Sequence, residues 1–154
     1  MQVTNLIQDI GKCRDIVCSR DFKTVLKNIG LFQNICDRLR RHVDKFIKSD
    51  KHKLDFTHYD LQELSDEIYN FIKGHQNKFL FEKGQKKLIK AKTIDNNVLR
   101  TFTQEQCDWM FVDARLREAY KILSYLAITV WLWTEAREQE ELDWQVTQAI
   151  RSFL

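Results

Sequence analysis

Tyr120–Trp133 reads YKILSYLAITVWLW, and its twelve residues from Ile122 to Trp133 include no charged side chain. A helix on the surface of a soluble protein normally shows one apolar stripe and one polar face. Here Trp131 and Trp133 lie about 200° apart around a helix of 3.6 residues per turn, so both faces are apolar. Three interpretations follow: a helix packed on all sides, a surface for a partner or a membrane, or a membrane span.

A membrane span is the weakest of the three interpretations. Twelve helical residues rise roughly 18 Å, whereas the hydrocarbon core of a bilayer is about 30 Å thick. Charged residues lie on both sides of the segment, from Arg115 to Lys121 and from Glu135 to Glu138. We therefore expect the segment to be the central, most buried helix of a bundle, with a dimer or partner surface as the alternative.

The composition favours helix throughout a single domain, residues 1–154. The chain has 154 residues, four glycines and no proline, so few residues would break a helix. We predict an all-α fold, one antiparallel bundle of four to five helices. The predicted helices are Val3–Ser19, Asp21–Lys48, Thr57 to Gly74, a short helix capped by Asp95 that runs through Val98 and Leu99, and a final helix from the Thr103–Gln106 capping box to Phe153.

The N-terminal sequence and the cysteines predict a cytoplasmic protein. MQVTNLIQDIGKC lacks the basic start and apolar core of a secretory signal, and Gln2 excludes N-myristoylation. Cys13, Cys18, Cys36 and Cys107 form no CxxC pair, and we expect reduced thiols that lie partly in the core.

Positive charge is concentrated in the first two-thirds of the chain. Residues 1–100 hold 20 Lys and Arg against 13 Asp and Glu, which gives +7, whereas residues 101–154 hold 5 against 9, which gives −4. Lys78–Lys92 is the most basic stretch, and helical spacing would align four of its lysines on one face. The predicted membrane- or partner-binding residues are Lys83, Lys86, Lys87, Lys90 and Lys92, with Arg38, Arg40 and Arg41 as additions.

No motif for catalysis or for nucleotide binding is present, so we predict a non-enzymatic protein without metal or cofactor. His58, Asp60 and Glu63 could gather around a metal on one helical turn, but no second ligand cluster supports such a site. Asp108 and Asp113 are better explained as solvated charges than as an acid–base pair. Aromatic residues alternate with lysines at 78–92, as in single-strand binders, yet no nucleic-acid-reading motif accompanies them.

Two segments resemble a known family. They are KLDFTHYDLQELSDEIYNFI (Lys53–Ile72) and FLFEKGQKKLIKAKTIDNNVLRTF (Phe79–Phe102), and with the helix before them the resemblance covers about residues 20–106. The order of elements resembles the HeLo-type four-helix cell-death domain. That group includes the N-terminal bundle of the mixed-lineage-kinase-like pseudokinase and the mildew-resistance coiled-coil domain of plant helper immune receptors.

The resemblance implies a signalling module of cell death or innate immunity that oligomerises and binds anionic phospholipid at the inner face of a membrane. The lysines from Lys83 to Lys92 would then contact lipid, and the first helix would insert, although its charges at Asp9, Lys12, Arg14 and Asp15 suit a plain bundle better. A second hypothesis is a cytosolic scaffold or regulator that binds a partner protein in a groove, as apoptosis regulators of the B-cell-lymphoma type do. The chain lacks their Asn-Trp-Gly-Arg signature.

Overall fold

The computed structural model describes residues 5–80, 88–92 and 98–153, and for 77–80, 88–92 and 98–102 it describes the backbone alone. Its helices form a bundle with a long C-terminal helix, which confirms the predicted all-α class, and two antiparallel strands pair with each other before that helix. The elements are α1 (Leu6–Cys18), α2 (Phe22–Lys27), α3 (Ile29–Lys48), α4 (His58–Leu80), β1 (Leu88–Lys92), β2 (Val98–Thr103) and α5 (Gln104–Phe153).

The core lies where α5 packs against α4 and α3, and α1 completes it by packing against α4 and α3. Each long helix contributes one stripe of residues at spacings of three and four, as a bundle requires. The hydroxyl of the buried Ser65 lies 2.7 Å from that of the half-buried Ser124, and this polar contact joins α4 to α5. The α5 stripe consists of Trp109, Val112, Leu116, Ala119, Leu123, Leu126, Ala127 and Val130.

The segment Ile122–Trp133 is not packed on all sides, so that part of the prediction is wrong. Leu126 and Val130 are buried, but Ile128 and Leu132 are exposed, as is Tyr125 with 70% of its surface accessible. The neighbouring helices cover only one side of α5, because α3 and α4 pack on the side that carries Leu126. Among the described residues, no helix is long and apolar enough to cross a membrane.

The predicted second helix, Asp21–Lys48, is broken at Asn28 into α2 and α3. Asn28 has φ −106° and ψ 14°, outside the helical region, and its side-chain amide donates a hydrogen bond of 2.8 Å to the Thr24 carbonyl. Asparagine competes in this way with backbone hydrogen bonding. The apolar spacing continues across Asn28, which is why the periodicity alone predicted one helix.

Helix α4 continues past Gly74, which was expected to end it. His75 reinforces the helix there: its ring stacks on Phe71 at 4.1 Å, and Nδ1 lies 2.9 Å from the Phe71 carbonyl oxygen. Its Nε2 lies 3.1 Å from the carbonyl oxygen of Arg20, in the turn after α1. These contacts hold the turn after Gly74 and offset the roughly 1 kcal/mol that a mid-helix glycine costs.

The short helix predicted near Val98 and Leu99 is a strand instead. The backbone of Val98–Thr103 pairs with that of Leu88–Lys92, with Leu88 opposite Thr103 and Lys90 opposite Thr101. Asp95, which was predicted to cap that helix, lies outside the described residues.

The predicted start of the last helix is confirmed. The Thr103 hydroxyl accepts a hydrogen bond of 3.0 Å from the Gln106 backbone N–H, and the Gln106 side chain accepts one of 3.0 Å from the Thr103 N–H. This reciprocal capping box fixes the first turn of α5.

Candidate interaction surface on helix α5

The structure tests little of the predicted lysine surface. Lys83, Lys86 and Lys87 lie outside the described residues, and only the backbone of Lys90 and Lys92 is described, in strand β1. We predicted that Lys90 would share one helical face with the earlier lysines. This prediction is wrong for Lys90, because Leu88–Lys92 is extended and paired with β2.

Arg38 joins two helices of the bundle. Its guanidinium forms an ion pair with Asp9 of α1, and both side chains are about three-quarters buried. The same group donates a hydrogen bond of 3.3 Å to Asn34, while its Nε is buried without a hydrogen-bond partner among the described residues. Arg38 therefore stabilises the contact of α3 with α1, and it is only partly available to a ligand.

The other two predicted arginines are exposed but lie on different sides of α3. Arg41 lines a shallow concavity of about 360 Å³ together with Arg38, His42 and Lys45. Arg40 lies beside α5, where it lines a groove with Lys121. The structure thus places Arg38 and Arg41 together and separates Arg40 from them.

The acidic residues considered for metal binding or catalysis have structural partners. Asp60 caps α4, since its carboxylate accepts a hydrogen bond of 2.7 Å from the Thr57 N–H, and Glu63 forms an ion pair of 3.1 Å with Arg14 of α1. In the part of the chain that the structure describes, no three His, Cys, Asp or Glu side chains could hold a metal ion. On α5, Asp108 accepts a hydrogen bond from Gln104 and Asp113 pairs with Arg117 at 2.8 Å.

The exposed apolar residues are concentrated on the C-terminal half of α5. Of the fourteen large apolar side chains found exposed among the described residues, ten lie between Tyr125 and Phe153. Single exposed apolar residues are ordinary on a protein surface, whereas a contiguous apolar face indicates an interaction site. The ten are Tyr125, Ile128, Trp131, Leu132, Trp133, Leu142, Trp144, Val146, Ile150 and Phe153.

Arg137 is the last residue of α5 that is fixed to the bundle. Its guanidinium donates hydrogen bonds to the carbonyl oxygens of Phe46, Ser49 and His52, at the end of α3 and in the loop that follows it. It also lies over the Phe46 ring, 3.9 Å from the ring centroid. These contacts attach α5 at the point where the helix leaves the bundle.

Every residue from Glu138 to Phe153 is exposed, and we call this the projecting segment. It is a continuation of α5, which has 50 residues and is about 75 Å long at 1.5 Å per residue. The helices beside it have 20 and 23 residues and are too short to cover that length. The projecting segment of about 24 Å therefore has no neighbour among the described elements.

The residues around Arg137 carry strong negative charge. Glu135, Glu138, Glu140, Glu141 and Asp143 are all exposed, against the single cation Arg137. Asp143 accepts a hydrogen bond of 2.9 Å from Gln139, and Glu141 accepts one of 3.2 Å from Gln145, so these carboxylates face neutral amides on their own helix. This stretch is an acidic band in the middle of an otherwise apolar face.

The apolar residues of the projecting segment are evident in the sequence, but their exposure is not. The spacing of Leu142, Val146, Ala149, Ile150 and Phe153 is that of a packed helix face, and periodicity does not reveal whether a neighbour exists. Helix length was the signal that could have revealed it, because a helix of about 50 residues cannot be covered by neighbours of about 20.

Comparisons of the chain with protein-family models, with curated proteins and with solved structures found no match.

Proposed function

We propose that this chain is a non-enzymatic adaptor module that binds a partner protein along the exposed apolar face of α5. The observation that carries the proposal is the concentration of exposed apolar side chains from Tyr125 to Phe153 on one half of one helix. Burial of apolar surface stabilises a complex by roughly 25 cal/mol per Å², so a face of this extent favours association.

The projecting segment supports a role in binding for a second reason. Most helical stability in proteins comes from packing of an apolar face. Glu138–Phe153 has such a face and no packing partner among the described elements. A bound partner would supply the contacts that the bundle supplies to the rest of α5.

A protein partner suits this face better than an anionic membrane does. The acidic band from Glu135 to Asp143 interrupts the apolar residues, and carboxylates are repelled by anionic lipid. This favours the scaffold or regulator hypothesis for α5.

Binding of a model helix tests the proposal. The probe is a fluorescent amphipathic peptide with leucine at the apolar positions and uncharged glutamine beside them, and binding is followed by anisotropy. Wild type should bind, and Leu132→Ser/Leu142→Ser/Val146→Ser should not, because all three residues are exposed and apolar. Phe111→Ser removes an exposed apolar residue from the other half of α5 and is the matched control. Equal binding by wild type and the triple variant would refute the proposal.

A second proposed function is association with anionic membrane, with oligomerisation there, as the HeLo-type resemblance implies. The concavity lined by Arg38, Arg41, His42 and Lys45 supports it, together with the lysines of 83–92. The protein would then be cytoplasmic and recruited to the inner face of a membrane. The cations of α3 and the lysines of 83–92 are different residues from those of the acidic band on α5, so the two functions would use different side chains.

Liposome sedimentation tests the second function. Wild type should bind phosphatidylserine vesicles at about 0.1 M salt and much less at about 1 M, since the Debye length falls from about 10 to about 3 Å. Lys86→Glu/Lys87→Glu/Lys90→Glu should abolish binding, and Arg41→Glu/Lys45→Glu should weaken it if α3 contributes. Binding that survives both sets of substitutions would show that neither basic surface contacts lipid.

A further inference from the structure

We infer that the partner of α5 is a basic amphipathic helix that lies along Ile128–Phe153 as one strand of a coiled coil. This inference rests on the proposed function and adds the chemistry of the partner. It depends on the spacing of the exposed residues, on the charges beside them and on the length of helix that is accessible.

The exposed residues follow the spacing of a coiled-coil seam. From Ile128 to Phe153, steps of four and three residues define the eight positions of a seven-residue repeat, as in two helices that wrap around each other. Six of the eight positions are apolar, and Glu135 and Gln139 occupy the two near the middle. A packed bundle surface would not need such a strict repeat, because it is covered by several helices at different angles. The seam positions are Ile128, Leu132, Glu135, Gln139, Leu142, Val146, Ala149 and Phe153.

The seam is accessible along its whole length. Ile128 is 55% exposed, Leu132 is 53% exposed and Phe153 is 89% exposed, so it begins beside the bundle and ends at the tip of the projecting segment. Twenty-six residues extend about 39 Å, enough for nearly four heptads of a partner helix. The bundle packs on the opposite side of α5, against Leu126 and Val130.

The charges beside the seam indicate the sign of the charge that the partner should carry. Glu138 and Asp143 take the positions that flank the seam, and Glu135 lies within it. Residues at flanking positions form ion pairs between the helices of a coiled coil. Since the described hydrogen-bond partners of Asp143 and Glu141 are the neutral amides of Gln139 and Gln145, lysine or arginine on the partner would complete this band.

A second copy of the chain fits the seam less well. In a parallel pair, Glu135 of one copy would face Glu135 of the other inside the seam. In the antiparallel register that keeps seam residues opposite one another, the Glu135 carboxylate of each copy would lie against Val146 of the other. The parallel arrangement brings like charges together and the antiparallel one leaves two carboxylates without a cation, and either costs several kcal/mol in total at an interface.

Three model helices that differ only in their flanking residues test the inference. Each has about four heptads with leucine at the seam, and the flanking residues are all lysine, all glutamine or all glutamate. The lysine peptide should bind the full chain about tenfold more tightly than the glutamine peptide at low salt, because a few exposed ion pairs together contribute about that much. The glutamate peptide should bind most weakly, and high salt should remove the differences.

The matched variant is Glu138→Lys/Glu141→Lys/Asp143→Lys, in which three exposed carboxylates are reversed and the seam is intact. It should keep the thermal stability of wild type and should bind the glutamate peptide most tightly. If the variant binds the glutamate peptide more tightly than the lysine peptide, the acidic band determines the charge selectivity. Unchanged preference would place the charge selectivity elsewhere and would overturn the inference.

The remaining outcomes separate this inference from the proposed function. Equal binding of the three peptides would overturn the basic partner and keep α5 as a docking face. No binding of any peptide would overturn both. A dimer in light scattering that Leu132→Ser/Leu142→Ser/Val146→Ser converts to monomer would make the occupant a second copy, and that result also overturns the inference.

Discussion

Two of the four cysteines lie deep in the bundle, which controls their chemistry. Burial raises the pKa of Cys13 to about 12, and the nearby Cys36 and Asp9 add to the effect. Burial also raises the pKa of Cys36 to about 12. Because the thiolate is the reactive form, both thiols should be inert in the native protein.

Thiol labelling checks this expectation. At pH 8 a thiol with a pKa of about 12 is ionised in roughly one molecule in ten thousand, against about one in four for an ordinary thiol. Iodoacetamide should therefore label Cys13 and Cys36 only after denaturation, as mass spectrometry would show. Labelling of either residue in the native protein at the rate of an unfolded control would contradict the packing of α1 against α3.

The exposed Cys18 should respond to its neighbour Glu67. Its thiol lies 3.3 Å from the Glu67 carboxylate, and its pKa is raised by local desolvation and then by this hydrogen bond and negative charge. Glu67→Gln removes the charge, so Cys18 should react faster in that variant than in wild type. Asp66→Asn, one residue away, is the control, and equal rates in the two variants would argue against the contact.

His42 links stability to pH. Burial lowers its pKa from the usual 6.5, and the neighbouring His52 and Lys45 lower it further, while Asp55 opposes them. The unfolded state therefore binds the proton more readily, so the contribution of His42 to stability is complete above about pH 6.5 and is lost as pH falls below it. Urea unfolding at pH 7.5 and pH 5.5 should show a smaller loss for His42→Gln than for wild type. If wild type and His42→Gln lose equal stability between pH 7.5 and pH 5.5, His42 is not desolvated in the folded protein.

At the scale of the element, α5 carries two leucines whose roles differ. Leu126 is 5% exposed and lies in the core stripe, whereas Leu132 is 53% exposed on the opposite side. Leu126→Asp should unfold the protein, because a buried unpaired carboxylate costs several kcal/mol, comparable with the stability of a domain. Leu132→Asp should change stability by only about 0.5 kcal/mol.

Urea unfolding followed by circular dichroism measures both variants. If Leu126→Asp stays folded and changes only its oligomeric state, the stripe that contains Leu126 is an interface and the core has been assigned wrongly. If Leu132→Asp also unfolds the protein, the exposed side of α5 is covered within the molecule.

The sequence predicted the helices well where a local interaction determines where they begin or end. The Thr103–Gln106 capping box predicted the start of α5 correctly. The break at Asn28 was missed because the apolar spacing continues through it. The exposure of Ile128 and Leu132 was missed because it depends on the lengths of other helices, which no local pattern reports.

The candidate site was predicted less well than the fold, for a physical reason. Arg38 was expected to face a ligand, but its partner Asp9 is 29 residues away in sequence, and ion pairs of this kind are set by tertiary packing. Lys83, Lys86 and Lys87 lie outside the described residues, so their role stays a prediction. The apolar residues of α5 were identified by type, and only the packing of the bundle showed which of them are accessible.

At the scale of the whole molecule, the two signs of charge are separated along the chain. The cations of α3 lie on the bundle, whereas the acidic band from Glu135 to Asp143 lies where α5 leaves it. The proposed lipid-binding surface and the proposed partner-binding helix involve different residues, so one molecule could carry both. Such an arrangement would let a bundle at a membrane present its last helix to a protein.

The shape of the free protein tests the projecting segment directly. A compact chain of 154 residues has a radius of gyration of about 15 Å, which for a sphere corresponds to a maximum dimension of roughly 40 Å, whereas a straight α5 of 50 residues requires at least about 75 Å. X-ray scattering from the monomer should give the larger dimension, and the chain truncated after Glu138 should be shorter by up to about 24 Å. The truncated chain should keep its melting temperature within a few degrees, because residues 139–153 are exposed and contribute little to the core.

A maximum dimension below about 60 Å for the full-length monomer would mean that α5 bends near Glu135–Asp143 and covers its own apolar seam. In that case the seam would be occupied by the chain itself, and a partner would have to displace it before binding.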